Sequence, residues 1–248
     1  MKEFTHHFID KVYHFEFLSS TMNKAEELIE IEHDLGNILI ISDKQGNGKG
    51  RTGADWYSPQ GGLWFTLGIY GFSLNSNFTL FTVIQVLKAI ESICINNRLD
   101  IRIKWPNDIY LNHKKAVGII AKHIPKYNYY LTGIGINTNL IEFPPELINI
   151  ATSLELETGD IISDESLLTQ FLDNMATNLP SYLNEFRIDE ICYQQHDYLT
   201  GLRILIKTEF AEYCGDYYGI SQDGAILLKL SHGSIQPFYA GEISIITE

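Results

Sequence analysis

Residues 78–98, FTLFTVIQVLKAIESICINNR, keep apolar side chains at helical spacing and predict a buried helix. Such a helix has to be covered by other layers, and strand patterns stand on both sides of it. Ahead of it, VYHFEFLSS (12–20) reads as a strand ending at Ser20, and NILIISD (37–43) and GLWFTLGIY (62–70) as apolar strands. Between the first two, TMNKAEELIEIEH (21–33) predicts a helix. Thr21 or Asn23 is its cap, with Glu26 completing a capping box from Asn23. After it, IRIKW (101–105) alternates, with Ile101, Ile103 and Trp105 on one face and Arg102 and Lys104 on the other. DIYLNHKKAVGIIAKHI (108–124) reads as two strands around a turn at Asn112–Lys114, and NYYLTGIGINTN (128–139) as a further strand with a polar end.

The texture changes after Asn139. Residues 144–159 read as a connection, and 164–186 as a helix that Pro180 kinks or breaks. From about Gly201 the chain becomes short strands separated by turn signals, the pattern of a small all-β barrel. The expectation is a mixed α/β domain of about 200 residues with a small β domain behind it.

One loop stands apart from the rest. Lys44–Gly53 holds four glycines and three cations, Lys44, Lys49 and Arg51, in a chain whose formal net charge is -13. The acidic balance argues against a general nucleic-acid binder, which needs a basic face. A locally basic, glycine-rich loop reads as a site for a small anion, because glycines let backbone N–H groups come close. Gly48–Gly53 matches GxGxxG, yet it runs into ADWYSPQGG, where Pro59, Gly61 and Gly62 oppose the helix a dinucleotide loop must open. No register gives a Walker A loop, and no HRD or DFG follows.

A second cluster is IKWPNDIYLNHKKAVGI, which gathers Lys104, Asn107, Asp108 and Lys115. Pro106 holds Trp105 extended, so WPND is a fixed turn. Read from composition alone, the lysine–aspartate pair is equally an exposed salt bridge. Gly118, and Gly133 with Gly135 in TGIGINTN, leave room for a close approach. Asn137 is a neutral donor suited to a polyphosphate–metal site.

Three cysteines, odd in number and without CxxC spacing, fit a reducing compartment and offer no zinc site. His6 and His7 read as surface residues, since no third ligand stands at a sensible spacing. No signal peptide or membrane span is legible, so a cytoplasmic protein is expected.

These motifs resemble the biotin protein ligases. QGNGKGRTGADWYSPQGGLWFTL, KWPNDIYLNHKKAVGI and GIGINTN occur in the family's order, with SSTMNKAEEL ahead and ATSLELETG behind. The C-terminal strands are similar to the family's small barrel. The resemblance implies an α+β fold: a mixed-sheet, class II synthetase-like catalytic domain (1–199) and an SH3-like barrel (200–248). It implies formation of biotinyl-5′-AMP from biotin and ATP with Mg²⁺, then transfer to one lysine of a biotin carboxyl carrier protein.

By the same resemblance Lys115, Arg51 and Asp108 are catalytic. Lys115 bridges carboxylate and α-phosphate, and Asp108 orients the acceptor lysine. Ser20, Thr21, Gln45, Lys49, Gly50, Gly118 and Gly135 bind biotin, together with Arg51 and Lys115. Gly48, Lys104, Trp105, Asn107 and Asn137 join Arg51 and Lys115 at ATP, with Asn137 also near Mg²⁺. Trp56 supports the loop by packing. Lys49 and Ala54 stand where relatives carry arginines, and Asp55 adds a negative charge. These departures predict a weaker hold on the adenylate. The first ligase motif begins by about residue 19, which leaves no room for a DNA-binding domain, so neither nucleic acid nor membrane is an expected partner. Monomer and homodimer both stay open. A lipoate ligase of the same fold, and a non-catalytic biotin or nucleotide-binding module, are the rival readings.

Overall fold

The computed structural model describes residues 4–72, 75, 77–95 and 99–246, and of Thr52 the backbone alone. Seven strands form one mixed sheet. In chain order they are β1 (Lys11–Phe15), β2 (Ile38–Ser42), β3 (Leu63–Tyr70), β4 (Ile101–Lys104), β5 (Asp108–Leu111), β6 (Lys114–Ile124) and β7 (Tyr129–Ile136). The spatial order is β1-β2-β3-β7-β6-β5-β4, with β1 and β2 parallel and the remaining neighbours antiparallel.

The alternation of side chains along β2 explains why both faces are covered. Ile38 and Ile40 pack with Ala25 and Ile29 of helix α1 (Thr21–Ile31). Leu39 and Ile41 face the other way, into a core shared with α2 (Phe78–Ile93) and α4 (Asp164–Glu185). The buried helix read from residues 78–98 is therefore α2, eleven of whose residues are buried; Asn96–Arg98, its expected end, lie outside the described residues. Asn112 and His113, with φ of 45° and 70°, form the tight turn between β5 and β6. Two successive positive φ values match the twist of a two-residue hairpin.

Five more strands form an antiparallel sheet of order β11-β10-β9-β8-β12: β8 (Arg203–Lys207), β9 (Glu212–Ile220), β10 (Ile226–Leu230), β11 (Ile235–Phe238) and β12 (Glu242–Ile245). This is consistent with an SH3-like unit. Its Ile204, Ile206, Ile226 and Leu228 belong to the same hydrophobic cluster as Ile103 and Trp105 of the large sheet. The junction is also hydrogen-bonded. Trp105 Nε1 donates to the Gly224 carbonyl at 2.9 Å, and Tyr217 Oη donates to Asp197 Oδ2 at 2.5 Å. The outer edge of β4 is covered by residues 196–198, through Ile103 N–H to the His196 carbonyl and Tyr198 N–H to the Ile103 carbonyl.

Several local expectations change. Strand β1 stops at Phe15, and Ser20 is the N-cap of α1, its hydroxyl accepting from the Asn23 N–H. The capping box from Asn23 is absent because Asn23 lies inside the helix, and Glu26 pairs with Lys122 at 2.6 Å. Pro180 does not end α4, which runs on to Glu185. Two short helices also escape the sequence reading: α3 (Leu154–Thr158) within the expected connection, and α5 (Glu190–Gln195) beyond it.

Candidate active site

The glycine loop folds as a narrow two-armed ribbon. Gly50 N–H donates to the Ala54 carbonyl at 2.7 Å and Trp56 N–H to the Gly48 carbonyl at 2.9 Å, with a 3₁₀ turn at Arg51–Gly53. Gly48 needs its missing side chain, because a Cβ there would stand 2.6 Å from Ser58 Oγ and 2.7 Å from the Trp56 carbonyl. The ribbon covers a cavity of about 210 Å³ over β6 and β7.

That cavity has three chemically distinct parts. At one end, Gln45 Oε1 accepts from the Thr21 N–H at 2.9 Å and Oγ1 at 3.2 Å, and Gln45 Nε2 donates to Ser58 Oγ. Thr66 Oγ1 donates to Thr21 Oγ1, and Ser20 lies alongside. The middle is apolar, walled by Met22, Ile120 and Ile134 over Gly133. The far end carries Lys49, Arg51 and Lys115.

Each cation is held by an oxygen. Lys115 Nζ sits 2.7 Å from Asp108 Oδ2, while Asp108 Oδ1 is buried without a hydrogen-bond partner. Arg51 reaches Asn107 Oδ1 at 3.2 Å and the Gly241 carbonyl at 2.8 Å, and Asn107 Nδ2 is fixed on the Ile119 carbonyl. Lys49 pairs with Asp55 at 2.5 Å. Lys104 does not line the cavity. Its ammonium lies over the Tyr110 ring, and burial holds it below the usual lysine range, with Lys115 adding to this and Asp108 opposing it. Trp105 is also outside the cavity, buried at the junction with the barrel.

Trp56 is the residue the sequence undervalued. Its indole lies across Gly118 and Gly135, which are paired in β6 and β7. It separates the first cavity from a second, largely apolar one of about 190 Å³, bordered by Asn137, Phe143, Leu147 and Ile150. The Lys115 ammonium stands 5.2 Å from the ring centre. A connection as apolar as residues 140–151 was the available signal for this second wall, since loops seldom carry so many aliphatic residues without covering something. Asn137 is anchored by its Nδ2 on the Thr152 carbonyl. Gly241 and Glu242, at the start of β12, close the cationic end from the barrel side.

Asp173 of α4 stands beside His6 and His7, a third polar group that no spacing in the chain showed. The Phe8 N–H donates to His6 Nδ1 at 3.2 Å, and His6 Nε2 lies 3.1 Å from Asp173 Oδ1.

A cavity with a neutral polar end and a cationic end, covered by a glycine ribbon on a mixed sheet, suits a small organic acid with a polar head. The chain belongs to the biotin/lipoate A/B protein ligase family, which matches residues 14–139, and residues 204–245 match the biotin protein ligase C terminal domain. It is 30% identical over 244 residues to the bifunctional ligase/repressor of Bacillus subtilis, covering 94% of this chain and 73% of that one. It is 26% identical over 226 residues to the biotin–[acetyl-CoA-carboxylase] ligase of Paracoccus denitrificans, covering 86% and 92%. The biotin protein ligase of Aquifex aeolicus, solved in complex with biotin and ATP, superposes with a TM-score of 0.84 at 25% identity, covering 97% of this chain and all of that one.

Proposed function

We propose that this chain is an ATP-dependent biotin protein ligase acting on a biotin carboxyl carrier domain. The observation that carries the reading is the three-part cavity. A ureido ring needs neutral donors and acceptors, an alkyl chain needs an apolar run, and a carboxylate needs cations. Thr21 with Gln45, the Met22–Ile134 wall, and Lys115 with Arg51 supply these in that order. The nucleotide base takes the second cavity, beyond Trp56, where the aliphatic side chains offer an apolar slot.

The chemistry follows from the charges. Biotin's carboxylate attacks the α-phosphate, a bond forms between carboxylate oxygen and phosphorus, and pyrophosphate leaves. Two anions repel in water; Lys115 and Arg51 hold them together and offset the charge that grows in the transition state. The ribbon covers the mixed anhydride and keeps water from it. An acceptor lysine amine then attacks the acyl carbon and AMP leaves. In this reading Asp108, whose Oδ1 is buried without a hydrogen-bond partner, takes the proton of the incoming ammonium. Mg²⁺ calls for hard oxygen donors, and the Asn137 amide oxygen is of that type; the ion would screen phosphate charge there.

The match of residues 204–245 to the biotin protein ligase C terminal domain favours biotin over lipoate. The test is ATP–pyrophosphate exchange with biotin or lipoate, on the wild type and Lys115→Ala. Exchange that needs biotin and falls by orders of magnitude in the variant supports the reading. No exchange with either acid overturns it.

A further inference from the structure

Lys49 and Asp55 are directly opposed across the two arms of the ribbon. Residues so paired place their side chains on the same face. Lys49 Nζ lies 2.5 Å from Asp55 Oδ1, and both residues border the first cavity. Asp55 also borders the second cavity, next to Trp56. A carboxylate of the chain itself thus stands where an anionic substrate has to meet Lys49.

We infer that Asp55 is an internal stand-in for the substrate anion: it holds Lys49 in the empty ribbon, yields it to the incoming carboxylate or phosphate, and weakens the hold on both by competing for that ammonium. The inference rests on the ligase reading above. Exchange between the two anions is easy. The Asp55 side chain is 87% exposed, so it turns to solvent without burying an unpaired charge. The Lys49 stem is flexible and its head is compact, unlike the fixed fork of an arginine. An exposed pair of this kind is weak, which bounds the competition at about five-fold. Asp55 is therefore a positioning residue that sets how tightly the adenylate is kept, with Lys49 as the group it acts through.

A brace predicts the opposite sign. If Asp55 only stiffened the ribbon, removing its charge would loosen the cover and speed the loss of the adenylate. The measurement is biotin dissociation and biotinyl-AMP release from Asp55→Asn, Asp55→Ala, Lys49→Ala and the Lys49→Ala/Asp55→Asn double variant. Both Asp55 variants should bind biotin tighter and release the adenylate more slowly, by about two- to five-fold. In the Lys49→Ala background the Asp55→Asn effect should shrink to less than half. Release that is unchanged or faster in both single Asp55 variants overturns the inference alone, as does an undiminished effect without Lys49. A wild-type chain that binds no biotin overturns the ligase reading, and this inference with it.

Discussion

Trp56 rests directly on Gly135: a Cβ at that glycine would stand 2.4 Å from the indole Nε1. The glycine is the floor on which the partition between the two cavities lies. Gly135→Ala should tilt the indole and raise the KM for biotin and for ATP together, each by about ten-fold or more, given how steeply misplacement acts in such sites. Stability should fall as well, because the rigid indole has to leave its seat on β6 and β7 to make room for the methyl group. Exchange kinetics beside thermal melts would check this, and a change confined to one substrate would contradict the partition.

Asp108 holds Lys115 with one oxygen, and its other oxygen is buried without a hydrogen-bond partner. Asp108→Asn should reduce transfer to the carrier protein by about 100-fold or more, the usual scale for losing a proton acceptor. Pyrophosphate exchange should fall less. The two half-reactions are separable by supplying or omitting the acceptor, and equal losses in both would assign Asp108 to holding Lys115 alone.

Asp197 ties the segment before the barrel to Tyr217. Burial pushes its carboxyl above the ordinary aspartate range, while the Tyr217 hydroxyl and the Leu199 N–H pull the other way. The folded state therefore keeps this proton more firmly than the unfolded chain does. Its contribution to stability is full below pH 3.8, the ordinary value, and falls as pH rises towards the folded pKa. Asp197→Asn should lack this fall, so the difference in stability between variant and wild type should shift in the variant's favour above about pH 4. Urea unfolding across pH 3.5–7 would measure it, and parallel curves would contradict the assignment.

Gly241 has φ of 151°, and a Cβ there would press on Ile206 Cγ2 at 2.8 Å. Its carbonyl is one of the acceptors that hold Arg51. Gly241→Ala should cost about 1–3 kcal/mol of stability through backbone strain, and it should weaken ATP binding by moving that carbonyl off the guanidinium. A melt that drops while the ATP KM stays constant would show that the Arg51 contact plays no part at the nucleotide.

What the sequence made legible was local. The β2 and β3 runs, the buried α2 and the turn at Asn112–Lys114 follow from periodicity and turn chemistry within a few residues. The cap of α1 is Ser20, which places Asn23 inside the helix, while Glu26, read as the box partner, pairs with Lys122 nearly a hundred positions on. The cationic ends of the loop and of KWPND were readable as charge, and as a family pattern, but not as a geometry. That Arg51 leans on Gly241, or that Trp105 is turned to Gly224 and away from the cavity, depends on how the barrel docks. No spacing in the chain encodes such contacts. Trp56 was read as packing, and it does pack; what composition could not supply was the empty space on either side of it.

The chain has three tryptophans, and two of them are silent partners. Trp64 is fully buried with its N–H on the Pro59 carbonyl, and Trp105 is buried on Gly224. Trp56 alone among them has its N–H unbonded and an ammonium, that of Lys115, over its ring. Light emitted by the folded protein therefore changes colour or brightness chiefly when something enters beside that one indole. The molecule carries its own optical gauge of occupancy, readable without any dye or label.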